Sequence, residues 1–159
     1  MRVARNGKAH VERSHLSELL DLVVGTGRRI SAVCALCHED LRLGERPPSI
    51  RWPAATSKNG VESVVPIGPR VRAAIDRILA ERPGIGRAPL FPAPDDPARP
   101  MDRYLADRWL RQAEKLAGLT PLLGGRWHPF RRKWATERKG YPVKDVAAAG
   151  GVGRPRKCW

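Results

Sequence analysis

The stretch that decides the fold runs from Trp127 to Thr136 and is WHPFRRKWAT in one-letter code. Pro129 has a fixed φ and no N–H, which suits the first position of a helix and puts His128 at the cap. Arg131 follows His128 by three residues, so both side chains lie on one helix face, a turn apart. Free N–H groups and the positive dipole end lie at the same helix start. The stretch therefore predicts a binding site for phosphate oxygens.

Charge points to the same kind of ligand. The 159 residues contain 30 Lys and Arg against 16 Asp and Glu, a formal net charge of +14. Such a surface favours a polyanion, and nucleic acid rather than a membrane, because no stretch of about 18 apolar residues accompanies it. The alternative is a basic proteome with high arginine usage, in which the charge says nothing about this protein's partner.

The N-terminus and the cysteines indicate where the protein resides. Residues 1–13 are polar and basic, with no apolar core of a signal peptide. An odd count of three cysteines argues against a disulfide framework. We therefore expect a cytoplasmic protein that does not enter a membrane.

Apolar periodicity predicts a mainly helical chain. A first helix, capped by Ser14 and ended by Gly25 and Gly27, has the inward residues Leu16, Leu19, Leu20, Val23 and Val24. The helix after the turn at 26–31 has the apolar positions Ile30, Val33, Cys34, Leu36 and Cys37. Further helices are predicted from Gly68 to Arg82, from Asp102 to Gly118, and from Pro142 onward. Their expected inward residues include Leu105, Trp109, Ala113, Leu116, Ala117, Val143, Val146 and Ala147.

A hairpin interrupts the helices. Residues 49–52 and 61–67 have strand character, and Asn59-Gly60 between them is a strong turn signal. Lys58 immediately precedes this turn, where it can either reach a bound substrate or remain an ordinary solvated lysine. The expected fold class is mainly α with a small antiparallel β-sheet or hairpin (α+β).

Cys34-Ala35-Leu36-Cys37-His38 matches the attachment pattern of a c-type haem. That chemistry requires export, and the N-terminus carries no export signal. A structural zinc would need two more ligands nearby, whereas the only other cysteine is Cys158. We therefore predict two buried, small apolar side chains on one helix face.

Three motifs occur in a fixed order: Thr-Gly-x-Arg at 26–29, the hairpin lysine Lys58, and His-x-x-Arg at 128–131. With the helix–hairpin–helix layout around them, residues 14–151 resemble the catalytic domain of the tyrosine recombinases, the phage-integrase family. The resemblance implies a mainly helical fold with a small antiparallel sheet. It also implies double-stranded DNA as substrate and other protomers as partners. The implied reaction cleaves one strand through a 3′-phosphotyrosyl link and rejoins it, without a metal or nucleotide cofactor.

The same resemblance implies a role for each motif residue. Arg29 and Arg131 would bind the non-bridging oxygens of the scissile phosphate and offset the charge of the transition state. Lys58 would protonate the leaving 5′-oxygen as general acid. His128 would assist by hydrogen bonding or proton transfer.

The chain also departs from the family pattern. The acidic residue expected three positions after Arg29 is Ala32, and Asp40 is the candidate replacement. Val152 stands where a second His or Trp is expected. Neither Tyr104 nor Tyr141 matches the position of the nucleophile, so no nucleophile is assigned.

We therefore expect a truncated remnant that also lacks the N-terminal DNA-clamping domain. Its divisions would be a flexible basic lead-in (1–13), an incomplete catalytic domain (14–151) and a non-matching basic tail (152–159). The expected function is that of a DNA-binding fragment of a site-specific recombinase or integrase of a mobile element, inactive alone. The alternatives are a non-catalytic DNA-binding remnant and a redox or haem module on Cys34 and Cys37.

Overall fold

The computed structural model describes residues 15–57 and 60–151. The helices in these ranges are α1 (Leu16–Thr26), α2 (Ile30–Cys34), α3 (Pro69–Glu81), α4 (Arg103–Leu116), α5 (His128–Thr136) and α6 (Val143–Ala149). The strands are β1 (Leu41–Arg42), β2 (Ser49–Trp52) and β3 (Ser63–Pro66). The expectations for residues 1–13, the Ser14 cap, Lys58 and residues 152–159 lie outside the described residues. Across the described ranges, no helix is long and apolar enough to cross a membrane.

The described strands form one antiparallel sheet in the order β1-β2-β3. Ser49 pairs with Pro66 and Trp52 with Ser63, so the predicted hairpin is confirmed. Its connection is longer than the two-residue turn that Asn59-Gly60 suggested, because a 3₁₀ turn at Ala54–Thr56 lies within it. Strand β1 was not predicted, since two residues carry no readable alternation.

The core is organised around α1, which packs against α2, α3, α4 and α5. Leu19, Leu22 and Val23 are fully buried at its centre. Leu20 and Val24, which were expected on the buried face, are only partly buried. Neighbours on several sides of α1 make its buried surface wider than one stripe, and Leu22 is included in it.

The described structure corrects several other burial predictions. In α4 the buried residues are Ala106, Trp109 and Leu110, whereas Leu116 is 50% exposed because the last turn extends past the core. Ala117, also expected inward, is exposed as well. Five further residues expected to be buried are only partly so: Cys37, Leu105, Ala113, Val146 and Ala147.

Two predicted helix boundaries are confirmed by their local chemistry. Pro69 begins α3 immediately after Gly68, where its missing N–H costs nothing. The Asp102 side chain accepts a hydrogen bond from the Tyr104 N–H at 2.9 Å and so caps α4.

Helix α5 packs against the turn between α1 and α2. Gly27 has φ +66° and its N–H donates to the Val23 carbonyl at 2.9 Å, which ends α1. The Trp134 ring packs directly against Gly27, and its Nε1 donates to the Gly25 carbonyl at 3.1 Å. A side chain at position 27 would meet both the strained backbone conformation and the ring.

Gly27→Ala is therefore expected to lower the free energy of unfolding by about 1–3 kcal/mol. The measurement is urea denaturation followed by tryptophan fluorescence. Gly44→Ala is the matched control, because an added Cβ there has no neighbour within 4 Å. An equal effect of the two substitutions would contradict this account of the turn.

Candidate active site

Arg29 and Arg131 come together at the end of α6. The Arg131 Nε donates to the Gly27 carbonyl at 2.7 Å, and its Nη2 donates to the Gly150 carbonyl at 3.1 Å. The Arg29 Nη1 donates to the Gly151 carbonyl at 3.1 Å. Two arginines from distant motifs thus share adjacent backbone acceptors.

A third arginine lies beside them. Arg28 is only 3% exposed, and its Nη2 donates to the Ser63 Oγ at 2.8 Å and to the Ala148 carbonyl at 3.0 Å. We call Arg28, Arg29 and Arg131 the arginine cluster. Each member donates to a carbonyl of residues 148–151, at the negative end of α6.

The cluster is an incompletely compensated concentration of positive charge. Burial, followed by the positive charge of Arg29, lowers the pKa of Arg131 to about 10. Burial, followed by the charges of Arg131 and Arg29, lowers the pKa of Arg28 to about 10. Within the described ranges, none of the three forms an ion pair with a carboxylate. An anion bound here would offset this charge.

The cluster also retains hydrogen-bond donors for such an anion. A guanidinium has five N–H groups in a planar fork that matches phosphate oxygens. Among the described residues, Arg29 uses only Nη1, and Arg131 uses only Nε and Nη2. The remaining donors of these side chains can bind phosphate.

The other two predicted site residues, His128 and Lys58, are not part of the arginine cluster. Helix α5 begins at His128, one residue earlier than expected, so Trp127 is the N-cap and Pro129 is the second helical residue. The imidazole is exposed, one helical turn before Arg131. Lys58 stands between β2 and β3 in the sequence and lies outside the described residues. The structure therefore describes three of the four predicted site residues: Arg29, His128 and Arg131.

Asp40 does not support Arg29, so that suggestion was wrong. Its Oδ1 accepts from the Arg51 Nε at 3.0 Å and Nη2 at 2.8 Å. Its Oδ2 accepts from the Cys37 N–H at 3.0 Å. Both Asp40 oxygens are therefore occupied by Arg51 on β2 and by the Cys37 backbone. Arg29 donates to the Gly151 carbonyl instead.

The prediction that Cys34 and Cys37 are both buried on one helix face is correct only for Cys34. Cys34 ends α2 and is buried, which raises the pKa of its thiol to about 12. Cys37 lies beyond the helix and is partly exposed; burial, followed by the negative charge of Asp40, raises its thiol pKa as well. No grouping of three or more His, Cys, Asp or Glu suited to a metal occurs in the part of the chain that the structure describes.

Sequence reasoning missed Arg28 and the carbonyls at 148–151. A second arginine in a Gly-flanked turn is indistinguishable from a solvated one, and its burial depends on Trp52, Ser63 and α6. Backbone acceptors leave no signal in the sequence beyond the Gly150-Gly151 pair, which indicates only a helix end.

These observations define a helical protein with a small antiparallel sheet and a cluster of three arginines at the end of α6. The model of the phage integrase family matches residues 3–153. The chain therefore belongs to the phage integrase family.

Solved structures share the fold. A lambda integrase (residues 75–356) dimer bound to a COC′ core site is 20% identical, with a TM-score of 0.70 over 96% of this chain and 56% of that chain. XerA recombinase is 19% identical, with a TM-score of 0.68 over 93% and 51%. The Tn1549 transposon integrase (residues 82–397), in complex with circular intermediate DNA, is 17% identical, with a TM-score of 0.62 over 96% and 56%.

The chain spans about half the length of these solved structures. A comparison with curated proteins found no match.

Inorganic phosphate is expected to stabilise the protein through the cluster. At about five times the dissociation constant, the gain is about 1 kcal/mol, which raises Tm by about 2–4 °C. Differential scanning fluorimetry measures the shift, and Arg131→Ala should remove most of it. Arg72→Ala, which affects an arginine paired with Asp76, should leave it unchanged. An equal shift in both variants would exclude the cluster as the anion site.

Proposed function

We propose that this chain is the DNA-binding catalytic-domain part of a tyrosine-type site-specific recombinase that acts on double-stranded DNA in the cytoplasm. The observation that carries the proposal is the convergence of Arg29 and Arg131 on the carbonyls of Gly150 and Gly151 with spare donors. Two guanidiniums with a net positive field suit a phosphodiester in a strand-transfer reaction. Membership of the phage integrase family supports the same assignment.

The proposed roles follow the chemistry of each group. Arg29 and Arg131 bind the two non-bridging oxygens and stabilise the charge that develops on them. His128, exposed at the start of α5, hydrogen-bonds or transfers a proton at the phosphate. Lys58, on the β2–β3 connection, protonates the leaving 5′-oxygen. Binding and orientation alone require only the two arginines.

A second basic surface supports duplex DNA as the substrate. Helix α4 carries Arg103, Arg108 and Arg111 on its exposed side. Among the described residues, none of the three is ion-paired, although acidic neighbours are close. Asp102 accepts from the Tyr104 N–H and Asp107 accepts from the Trp127 Nε1 at 2.7 Å. The arginines therefore remain available to phosphates.

The attacking group is proposed to come from outside these 159 residues. Tyr104 and Tyr141 are each 67% exposed, and no hydrogen bond within the described ranges joins either phenol to the arginine cluster. Strand cleavage would then need a tyrosine from further sequence or from another recombinase protomer. The lambda integrase structures include a dimer on a core site and a tetramer on a Holliday junction.

DNA binding is the first test. A fluorescein-labelled duplex of about 20 base pairs should bind with an affinity that falls steeply as salt rises. Arg29→Ala and Arg131→Ala should each weaken binding about tenfold, because a charge-assisted hydrogen bond contributes about 1.5–3 kcal/mol. Arg70→Ala is the control, because it also removes one positive charge, but Arg70 is already paired with Asp21. Unchanged affinity in both site variants would remove the proposed phosphate site.

Covalent chemistry is the second test. A nicked suicide duplex should give no protein–DNA adduct with this chain alone. An adduct should form when a recombinase protomer that carries the tyrosine is added, and Arg131→Ala in this chain should reduce its yield. An adduct from this chain alone would contradict the absence of a nucleophile. DNA binding with no adduct under either condition would leave a non-catalytic DNA binder, for which the α4 surface suffices.

A further inference from the structure

Arg28 joins parts of the fold that are distant in sequence. From the turn after α1, its guanidinium reaches Ser63 on β3 and the Ala148 carbonyl on α6, through Nη2 in both cases. Its Cζ lies 4.9 Å from the centroid of the Trp52 ring on β2, in a cation–π contact. The side chain thus fixes the last turn of α6 against the sheet.

This arrangement is costly for folding alone. Arg28 is 3% exposed, and in the described ranges it pairs with no carboxylate. Its Nε is buried without a hydrogen-bond partner. Burial of a charge without a counter-charge is unfavourable, and an apolar side chain of similar length is usually tolerated better. Stability therefore gives a poor account of an arginine here.

The segment held by Arg28 is the one to which the phosphate-binding arginines are attached. Ala148 precedes Gly150 and Gly151 by two and three residues, and these two carbonyls accept from Arg131 and Arg29. The packing is close as well: a Cβ added at Gly151, where φ is +59°, would lie 2.6 Å from the Arg28 Nη1. A displacement of Arg28 would therefore shift both acceptors.

We infer that Arg28 is a positioning residue of the phosphate site: by fixing residues 148–151 against the sheet, it holds the guanidiniums of Arg29 and Arg131 in their binding geometry. The inference rests on the proposed function. Arg28 itself touches no substrate in this account. Its positive charge also lies close to theirs: burial, followed by the charges of Arg131 and Arg29, lowers the pKa of Arg28 to about 10.

The test compares duplex affinity and Tm in Arg28→Met. Methionine keeps the packing on Trp52, and the released acceptors on Ser63 and Ala148 are reached by water because neither residue is buried. We expect affinity to fall at least about fivefold with no decrease in Tm. Arg28→Lys should restore part of the affinity, since an ammonium can donate to one of the two acceptors.

A double-mutant cycle separates positioning from general stability. If Arg28 acts through Arg131, then Arg28→Met in an Arg131→Ala background should change affinity less than about twofold. Arg138→Met is the matched control, because Arg138 also stacks on a tryptophan, at 4.5 Å, and donates to a backbone carbonyl at 3.1 Å. That control should bind DNA within twofold of the wild type.

Several outcomes would overturn the inference: wild-type affinity in Arg28→Met, an additive effect with Arg131→Ala, or an equal loss in Arg138→Met. If Arg28→Met does not fold, Ser63→Ala removes one of its contacts and should weaken binding two- to threefold with Tm retained. Unchanged affinity in that variant would also count against the inference. Unchanged affinity in both Arg29→Ala and Arg131→Ala would instead refute the proposed function.

Discussion

The two hydrogen bonds of Arg131 are the interaction on which the rest of the site depends. They join α5 to the end of α1 through the Gly27 carbonyl at 2.7 Å, and to the end of α6 through the Gly150 carbonyl at 3.1 Å. Both acceptors follow helix ends, where carbonyls lack intrahelical partners. The left-handed conformation of Gly27 and the Trp134 ring packed on it fix where this carbonyl points. The packing of the helices therefore fixes the position of the Arg131 guanidinium.

The cost of this geometry is concentrated positive charge. Burial and mutual repulsion lower the pKa values of Arg28 and Arg131 to about 10, while backbone carbonyls supply only partial compensation. A protein optimised for stability alone would place carboxylates here, as it does for Arg51 with Asp40 and for Arg70 and Arg77 with Asp21. In the arginine cluster no carboxylate of the described residues takes that place, which is the property expected of a phosphodiester-binding centre.

Short-range sequence patterns predicted the helices and strands, but they did not predict the tertiary contacts of the site. The α3 start at Gly68-Pro69, the Asp102 cap and the β2–β3 hairpin follow from short-range rules and were predicted. The motifs named Arg29 and Arg131 as partners, and the structure brings both to the end of α6. Burial of Arg28, the pairing of Asp40 with Arg51 and the partial exposure of Cys37 were not predictable. Each depends on where the elements end and how they meet in the fold, and periodicity carries no information about such contacts.

The central claim is that Arg29 and Arg131 together bind one phosphate of duplex DNA. Its most direct test is NMR observation of the arginine Nε–H groups of ¹⁵N-labelled protein during titration with a short duplex. Signals are assigned by single substitution. We expect the Arg29 and Arg131 signals to shift and saturate with one common dissociation constant, while the signal of ion-paired Arg72 remains unchanged. Saturation of the α4 arginine signals without any change at Arg29 and Arg131 would contradict it.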